Sequence, residues 1–245
     1  MSQSQYDVLA ELSEQTANSP LRKFYEEHTM FDVLGDLTGL TVLDLACGTG
    51  LYTRRLKERG VKRVLGVDNS EGMIAYARHL ETKEPLGVEY LVKDAADLGD
   101  IGTFDCVVGT YLLHYAPTKE ALTSMCTNIR KVLKPGGRFV TICLNPAINI
   151  TDPSYYLNYG FRVKCADTDG APLTLEIVLP GMETTLSCFR WTRATYEATL
   201  AQAGFKDVVW HSPKLDPMGI EIFGEEFWTA YLATPHAAVL TARPE

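Results

Sequence analysis

The stretch Val42-Leu43-Asp44-Leu45-Ala46-Cys47-Gly48-Thr49-Gly50 constrains the fold more than any other part of this chain. It reads as a buried strand that runs into a glycine turn, with a helix beginning near Leu51. Glycine is needed where the backbone turns sharply or must approach a ligand closely. The helix start that follows offers free backbone N–H groups to a polar or anionic ligand. A second strand, 63–67, ends in Asp68. A carboxylate at the tip of the neighbouring strand is placed to accept hydrogen bonds from ribose hydroxyls. The pair predicts a site for an adenosine-like cofactor. A dinucleotide fingerprint requires a third glycine where Thr53 stands, so the spacing disfavours a nicotinamide cofactor.

Strands and helices alternate along the next hundred residues. The pattern predicts strands near 41–46, 63–67, 87–92, 104–109 and 137–144, and helices near 51–59, 70–83 and 118–133. Asn69 or Ser70 and Thr118 stand where helix caps belong. Such alternation implies an α/β fold with a mostly parallel sheet and helices on both faces. Right-handed crossovers leave the strand C-termini on one edge, where ligands bind. Asp44, Asp68, Asp94 and Thr110 fall at that edge.

The flanking segments follow a different pattern. An N-terminal helical cap is expected over 1–37, broken near Asn18-Ser19-Pro20. A lid is expected over 146–190: an irregular, Asn-, Pro- and Tyr-rich stretch over 146–165, then an antiparallel hairpin of 173–179 and 184–190. A helix over 192–203 is capped by Thr192 and stopped at Gly204. Segments 205–211 and 236–242 read as an antiparallel edge pair, with one helical segment at 220–232 between them. The expected organisation is one domain over 1–245, with a cofactor core at 40–144 and closing strands at 205–242.

Charge and cysteine usage narrow the partners. The formal charge is −8, from 31 acidic and 23 basic residues, which disfavours nucleic-acid and anionic-membrane binding. The cluster Arg54, Arg55, Lys57 and Arg59 reads as a solvated helix face. Six cysteines stand singly at 47, 106, 126, 143, 165 and 188, without a C-x-x-C pair, so no metal site is expected. A reduced, cytoplasmic setting is the expectation. No apolar run approaches the ~18 residues of a membrane span, and the polar N-terminus has no signal core.

The D-L-A-C-G-T-G run at 44–50 resembles the first motif of class I S-adenosylmethionine-dependent methyltransferases. Val67-Asp68-Asn69-Ser70 with Met73, Lys93-Asp94-Ala95, Phe104-Asp105-Cys106-Val107-Val108-Gly109 and Leu133-Lys134-Pro135-Gly136-Gly137 follow in the family's order. The resemblance implies a seven-stranded Rossmann-like sheet and S-adenosylmethionine as cofactor. It assigns Asp44, Ala46, Gly48 and Gly50 to the methionine end, and Asp68 to the ribose. Asn69, Met73, Asp94 and Ala95 go to the adenine; Thr110, Tyr111 and Tyr115 lie toward the sulfonium. The chain further resembles the toxoflavin synthase group, through Pro20-Leu21-Arg22-Lys23, Pro85-Leu86-Gly87-Val88-Glu89-Tyr90-Leu91, Tyr111-Leu112-Leu113-His114-Tyr115-Ala116-Pro117, Tyr159-Gly160-Phe161 and Gly219-Ile220-Glu221-Ile222-Phe223-Gly224. That group includes N-methylation of a flat azapteridine.

His114, just past the fourth strand, is the candidate general base, with a structural loop histidine as the alternative reading. A small-molecule acceptor is expected against Tyr25, His28, Tyr155, Tyr159, Phe161 and Trp191, since aromatic faces suit a flat ring. About half of the rings in these segments are expected to pack the lid instead. N-methylation of a heteroaromatic comes first. O-methylation of a hydroxyl or carboxylate comes second, with Arg22, Arg162 or Arg190 to hold a carboxylate. A non-catalytic cofactor sensor, a nucleotide-dependent oxidoreductase and an RNA methyltransferase are the rivals. A monomer or homodimer is expected.

Overall fold

A computed structural model of the protein describes residues 16–245. The part of the expected N-terminal cap over 1–15 lies outside them. From Leu21 the chain forms a π-helical segment, Leu21–Glu26, that runs into α1, Glu27–Leu34, and stops at Gly35. Then follow β1 (Thr41–Leu45), α2 (Leu51–Glu58), β2 (Arg63–Asp68), α3 (Glu71–Lys83), β3 (Glu89–Val92) and β4 (Phe104–Thr110). A short 3-10 turn, Leu113–Tyr115, leads to α4 (Lys119–Lys131) and β5 (Leu133–Leu144).

The main sheet has seven strands in the order β3-β2-β1-β4-β5-β10-β9, where β9 is Phe205–His211 and β10 is Ala237–Pro244. Strands β1 to β5 pair in parallel, and β10 runs antiparallel to both β5 and β9. Both faces are covered. Met30 and Leu34 of α1, Leu56 of α2 and Ile74 of α3 pack on one face. Leu122 and Ile129 of α4 pack on the other, with Leu200 of α5 (Arg193–Gln202). That double cover explains why β1 and β4 are apolar almost throughout. The strand order reverses between β1 and β4, so a crevice opens beyond their carboxyl ends.

Three boundaries differ from the sequence reading, each for a physical reason. Strand β5 starts at Leu133, not 137, because the chain pairs Leu133 with Phe104 before the Pro135-Gly136-Gly137 turn shifts the register. The stretch expected to be irregular contains a strand, β6 (Phe161–Cys165), paired with β7 (Ala171–Leu179). With β8 (Met182–Arg190) it makes a three-stranded antiparallel sheet. The lid is therefore larger than a hairpin: Phe161 and Val163 are buried, and β7 satisfies the backbone of β6. The single helix expected at 220–232 is two, α6 (Pro217–Phe223) and α7 (Glu225–Ala233). They break at Gly224, whose φ of 82° is open to glycine.

Among the described residues the six cysteines are free, and five of them are buried. No helix among these residues is long and apolar enough to cross a membrane.

Candidate functional site

The carboxyl ends of β1 and β2 build a cradle from backbone and one carboxylate. Strand β1 ends at Leu45, and Ala46 turns the chain at a φ of 58°, a conformation uncommon for a residue with a Cβ. Cys47 N–H donates to the Val67 carbonyl at 3.1 Å, tying the loop to β2. Gly48, with φ 55°, donates its N–H to Asp68 Oδ2 at 2.9 Å. Ser70 N–H donates to Asp68 Oδ1 at 2.9 Å. The Ser70 hydroxyl in turn caps α3 by accepting from Met73 N–H at 3.2 Å. Both carboxylate oxygens of Asp68 are thus anchored, yet each retains lone pairs for a vicinal diol. Burial pushes the Asp68 carboxyl up, and the backbone N–H groups of Ser70 and Gly48 oppose that shift.

Beneath the loop lies Asp44, 1% exposed. Its Oδ2 accepts from the Thr53 hydroxyl at 2.7 Å. Thr53 stands where a dinucleotide site needs glycine, and here its side chain holds the loop's floor. Burial pushes the Asp44 carboxyl up to about 7, and the charge of Asp68 adds to that shift. Gly50 also works from below. A Cβ there would stand 2.4 Å from the Tyr90 hydroxyl, so this glycine admits Tyr90 packing; it is Gly48 that leaves the space above the loop open.

Above the cradle lies a cleft of about 600 Å³. Of the residues expected at the cofactor, Ala46, Gly48, Asp68, Asn69, Met73, Asp94, Ala95, Thr110, Tyr111 and Tyr115 line it, while Asp44 and Gly50 lie below. Asp94 Oδ1 is taken by Ala96 N–H at 2.7 Å, which leaves its other oxygen to a ligand. His114 also lines the cleft.

The acceptor residues divide differently. Tyr159 and Phe161 line the cleft; Tyr25, His28, Tyr155 and Trp191 do not. The Tyr25 hydroxyl donates to the Ala237 carbonyl at 2.6 Å, and Trp191 Nε1–H to the Ala116 carbonyl at 3.2 Å. Tyr155 donates to the Ala230 carbonyl at 2.7 Å, and His28 Nδ1 faces Asp216 at 3.7 Å. Three of these side chains carry an apolar ring into the core and a polar tip to a backbone carbonyl. They fasten the N-terminal segment and lid to the sheet.

Glu26, Tyr52 and His236 also line the cleft and escaped the sequence reading, whereas Arg22, expected to hold an acceptor carboxylate, does line it. His236 anchors a polar cluster. Tyr231 hydrogen-bonds its Nδ1 at 2.6 Å, and Tyr111, at φ 60°, hydrogen-bonds its Nε2 at 3.0 Å. Glu26 Oε1 stands 3.4 Å from that Nε2. Burial, then the nearby Arg22 guanidinium, pulls the His236 imidazole down to about 3. Burial, then His236, pulls His114 down to about 3 as well. Both rings are therefore neutral at pH 7. Burial pushes the Glu26 carboxyl above its usual range, opposed by Arg22 and by the Tyr111 hydrogen bond. No motif announces these residues; Glu26 sits in a charged helical run and His236 in a loop.

Fold and cleft together define the class: a Rossmann-like sheet with a glycine loop and an anchored carboxylate at the β1–β2 edge. Residues 42–137 match the methyltransferase domain family. The demethylmenaquinone methyltransferase of Lactococcus lactis is 42% identical over 113 residues, which cover 44% of each chain. A ubiquinone biosynthesis O-methyltransferase of Xanthomonas oryzae is 31% identical over 112 residues, 45% of each. The chain thus spans about half the length of the curated relatives it matches. An S-adenosylmethionine-dependent methyltransferase structure from Mesorhizobium loti superposes with a TM-score of 0.65 at 22% identity, covering 92% of this chain and 98% of that one. The fold is that of the class I S-adenosylmethionine-dependent methyltransferases.

The residues present fit that cofactor. The space above Gly48 is open to a close approach, and the anchored Asp68 carboxylate faces the same cleft. Asn69, Met73 and Ala95 border the cleft on that side.

Proposed function

We propose that the protein transfers a methyl group from S-adenosylmethionine to a ring nitrogen of a flat, nitrogen-rich small molecule. One observation carries this reading: a single cleft joins the Gly48–Asp68 cradle to a wall containing Tyr111, Tyr115, Tyr159 and Phe161. The cofactor, when bound, supplies an electrophilic methyl group on a sulfonium. Asp68 holds the ribose, and Gly48 admits the methionine portion to the loop. The aromatic wall orients the acceptor ring toward the strand edge at Thr110. Holding the reactants in line at reacting distance contributes about 7–11 kcal/mol relative to free encounter.

His114 presents a neutral imidazole to the cleft. A group held near 3 is a weak proton acceptor at pH 7, so its role here is to hydrogen-bond the acceptor. The lid contributes Leu175, Ile177, Leu179 and Leu186, which exclude water from the cleft. O-methylation of a ring hydroxyl is a second reading. It is favoured by this aliphatic lining, which suits a prenylated ring, and by relatives named for menaquinone and ubiquinone.

The test has two stages. Calorimetric titration with S-adenosylhomocysteine is expected to show micromolar binding that Asp68→Ala removes. Mass spectrometry of reactions with azapteridines, pteridines and hydroxyquinones then identifies the acceptor by the gain of one methylene. Absence of S-adenosylhomocysteine binding to the wild type would discard the methyltransferase reading.

A further inference from the structure

Three residues that line this cleft each carry a buried polar atom with no hydrogen-bond partner among the described residues: Glu26 Oε2, Tyr52 Oη and His114 Nδ1. Their side chains are 4%, 6% and 2% exposed. Buried polar groups are nearly always paired, so three orphans around one cavity mark groups whose partner is a ligand or ordered water. They come from three separate elements: the π-helical segment, α2 and the turn after β4.

Glu26 is the most informative of the three, because its carboxylate is held on one side only. In the tautomer with the proton on Nε2, Tyr231 donates to His236 Nδ1 and the Nε2–H points toward Tyr111 and Glu26 Oε1. Oε1 is therefore engaged, while the nearest charge to Oε2 is Arg22 Nε at 4.0 Å, beyond hydrogen-bond length. The cluster also adjoins the aromatic wall, for the His236 ring centroid lies 4.9 Å from that of Phe161. Asp68 and Asn69 stand across the strand edge at the tip of β2. Glu26 also faces Tyr52, in the first turn of α2 just past the glycine loop, so its carboxylate sits where the aromatic wall and the loop side of the cleft meet.

We propose that Glu26 Oε2 binds the ring N–H of the methyl acceptor and takes its proton as the methyl group is transferred. This inference rests on the methyl-transfer reading above. The ring nitrogen's lone pair forms the new N–C bond, the methyl C–S bond of S-adenosylmethionine breaks, and its electron pair returns to sulfur as S-adenosylhomocysteine forms. The N–H proton passes to Glu26 Oε2, which later releases it to solvent. A carboxylate pushed up by burial suits this role better than the imidazole of His114, which is pulled down to about 3. Tyr52 Oη and His114 Nδ1 are left to pair with other polar atoms of the ring.

The tyrosines and the histidine that face Glu26 stay neutral between pH 5 and 7. Tyr25, Tyr52, Tyr111 and Tyr231 are all pushed up by burial, and His236 is pulled down to about 3. A pH dependence of binding that arises at this end of the cleft therefore reports on Glu26, whose carboxyl burial pushes up.

The experiment uses lumazine, a flat pteridine with ring N–H groups, and its N-blocked 1,3-dimethyl derivative. Each is titrated calorimetrically into the S-adenosylhomocysteine-loaded protein at pH 5 and pH 7. Lumazine is expected to bind about tenfold more tightly than the dimethyl compound, and more tightly at pH 7 than at pH 5. Glu26→Gln is expected to lose both differences while keeping wild-type S-adenosylhomocysteine affinity. Glu26→Asp, which keeps the charge but withdraws the oxygen, is expected to weaken lumazine and retain the pH difference. It also decides the matter if the Gln variant does not fold.

Equal binding of the two compounds, or no lumazine binding to the loaded wild type, would overturn the proposal. So would a Glu26→Gln variant that loses S-adenosylhomocysteine instead, since Glu26 would then serve the cofactor. Failure of S-adenosylhomocysteine to bind the wild type would instead discard the underlying reading.

Discussion

The two halves of the cleft are built on different principles. The cofactor half comes from consecutive strand ends and is made largely of backbone: Gly48 N–H, Ser70 N–H and the Asp68 carboxylate they hold. The Asp68 carboxylate and the two N–H groups that hold it are paired before any ligand arrives. The acceptor half draws Glu26, Tyr111, Phe161 and His236 from four distant segments, and its side chains leave Glu26 Oε2 and His114 Nδ1 unpaired. A backbone cradle recognises what all its ligands share. Side chains gathered from afar recognise one ligand, and their unpaired atoms state what that ligand must offer.

If the cofactor half is a stressed but prearranged unit, its floor is where disturbance has the largest effect. Asp44 has a carboxyl raised from 3.8 to about 7. Its stabilising contribution is full below pH 3.8 and is lost as pH rises to about 7, because the folded state then gives up a proton it holds more tightly. Asp44→Asn, which still accepts from Thr53, is expected to gain stability over wild type across that range. The gain reaches about 4 kcal/mol by urea denaturation, minus what the polar exchange costs. A constant difference with pH would mean that Asp44 is not under strain.

Gly50→Ala tests the same unit sterically. A Cβ 2.4 Å from the Tyr90 hydroxyl, at a φ of 86°, is expected to cost about 2–4 kcal/mol. That corresponds to a fall in melting temperature of roughly 5–12 °C. Asp68→Ala removes the ribose acceptor and strands two N–H groups. S-adenosylhomocysteine affinity should fall about 30- to 100-fold by calorimetry, or about 2–3 kcal/mol. Loss of less than about threefold would break the comparison, because the cradle would then owe little to its carboxylate.

The outer face of the lid sets the lower bound. Lys164 pairs with Glu176 across β6 and β7, but it is 58% exposed. Lys164→Ala should change stability by about 0–1 kcal/mol in the same denaturation assay. A larger loss would show that the lid sheet is held by surface charge and not by its buried Phe161 and Val163.

Most of the cofactor half was legible in the chain because each part is local. A strand-end carboxylate, a glycine turn and a capped helix lie within a few residues of one another, and the alternation of elements sets which edge they share. Even there, two roles were hidden. Gly50 serves Tyr90 and Thr53 serves Asp44, and both depend on packing across elements. The acceptor half was legible only as aromatic content. Tyr159 and Phe161 were expected and do line the cleft. Tyr25 and Trp191 were also expected there, yet they hydrogen-bond carbonyls 212 and 75 residues away. A ring's chemistry is the same whether it faces a ligand or a core, so composition does not separate the two.

What local chemistry decided is the sheet, its glycine loop and the carboxylate at the tip of β2, for these follow from backbone preference and periodicity along neighbouring residues. What folding alone decided is the company that Glu26 keeps. Nothing near it in the chain distinguishes it from Glu27, which turns outward to Arg55 and Arg59. Only when the π-helical segment packs against the loop before β10 does Glu26 meet His236 and lose its water. Burial and long-range contact create its chemistry, and neither exists until the chain closes.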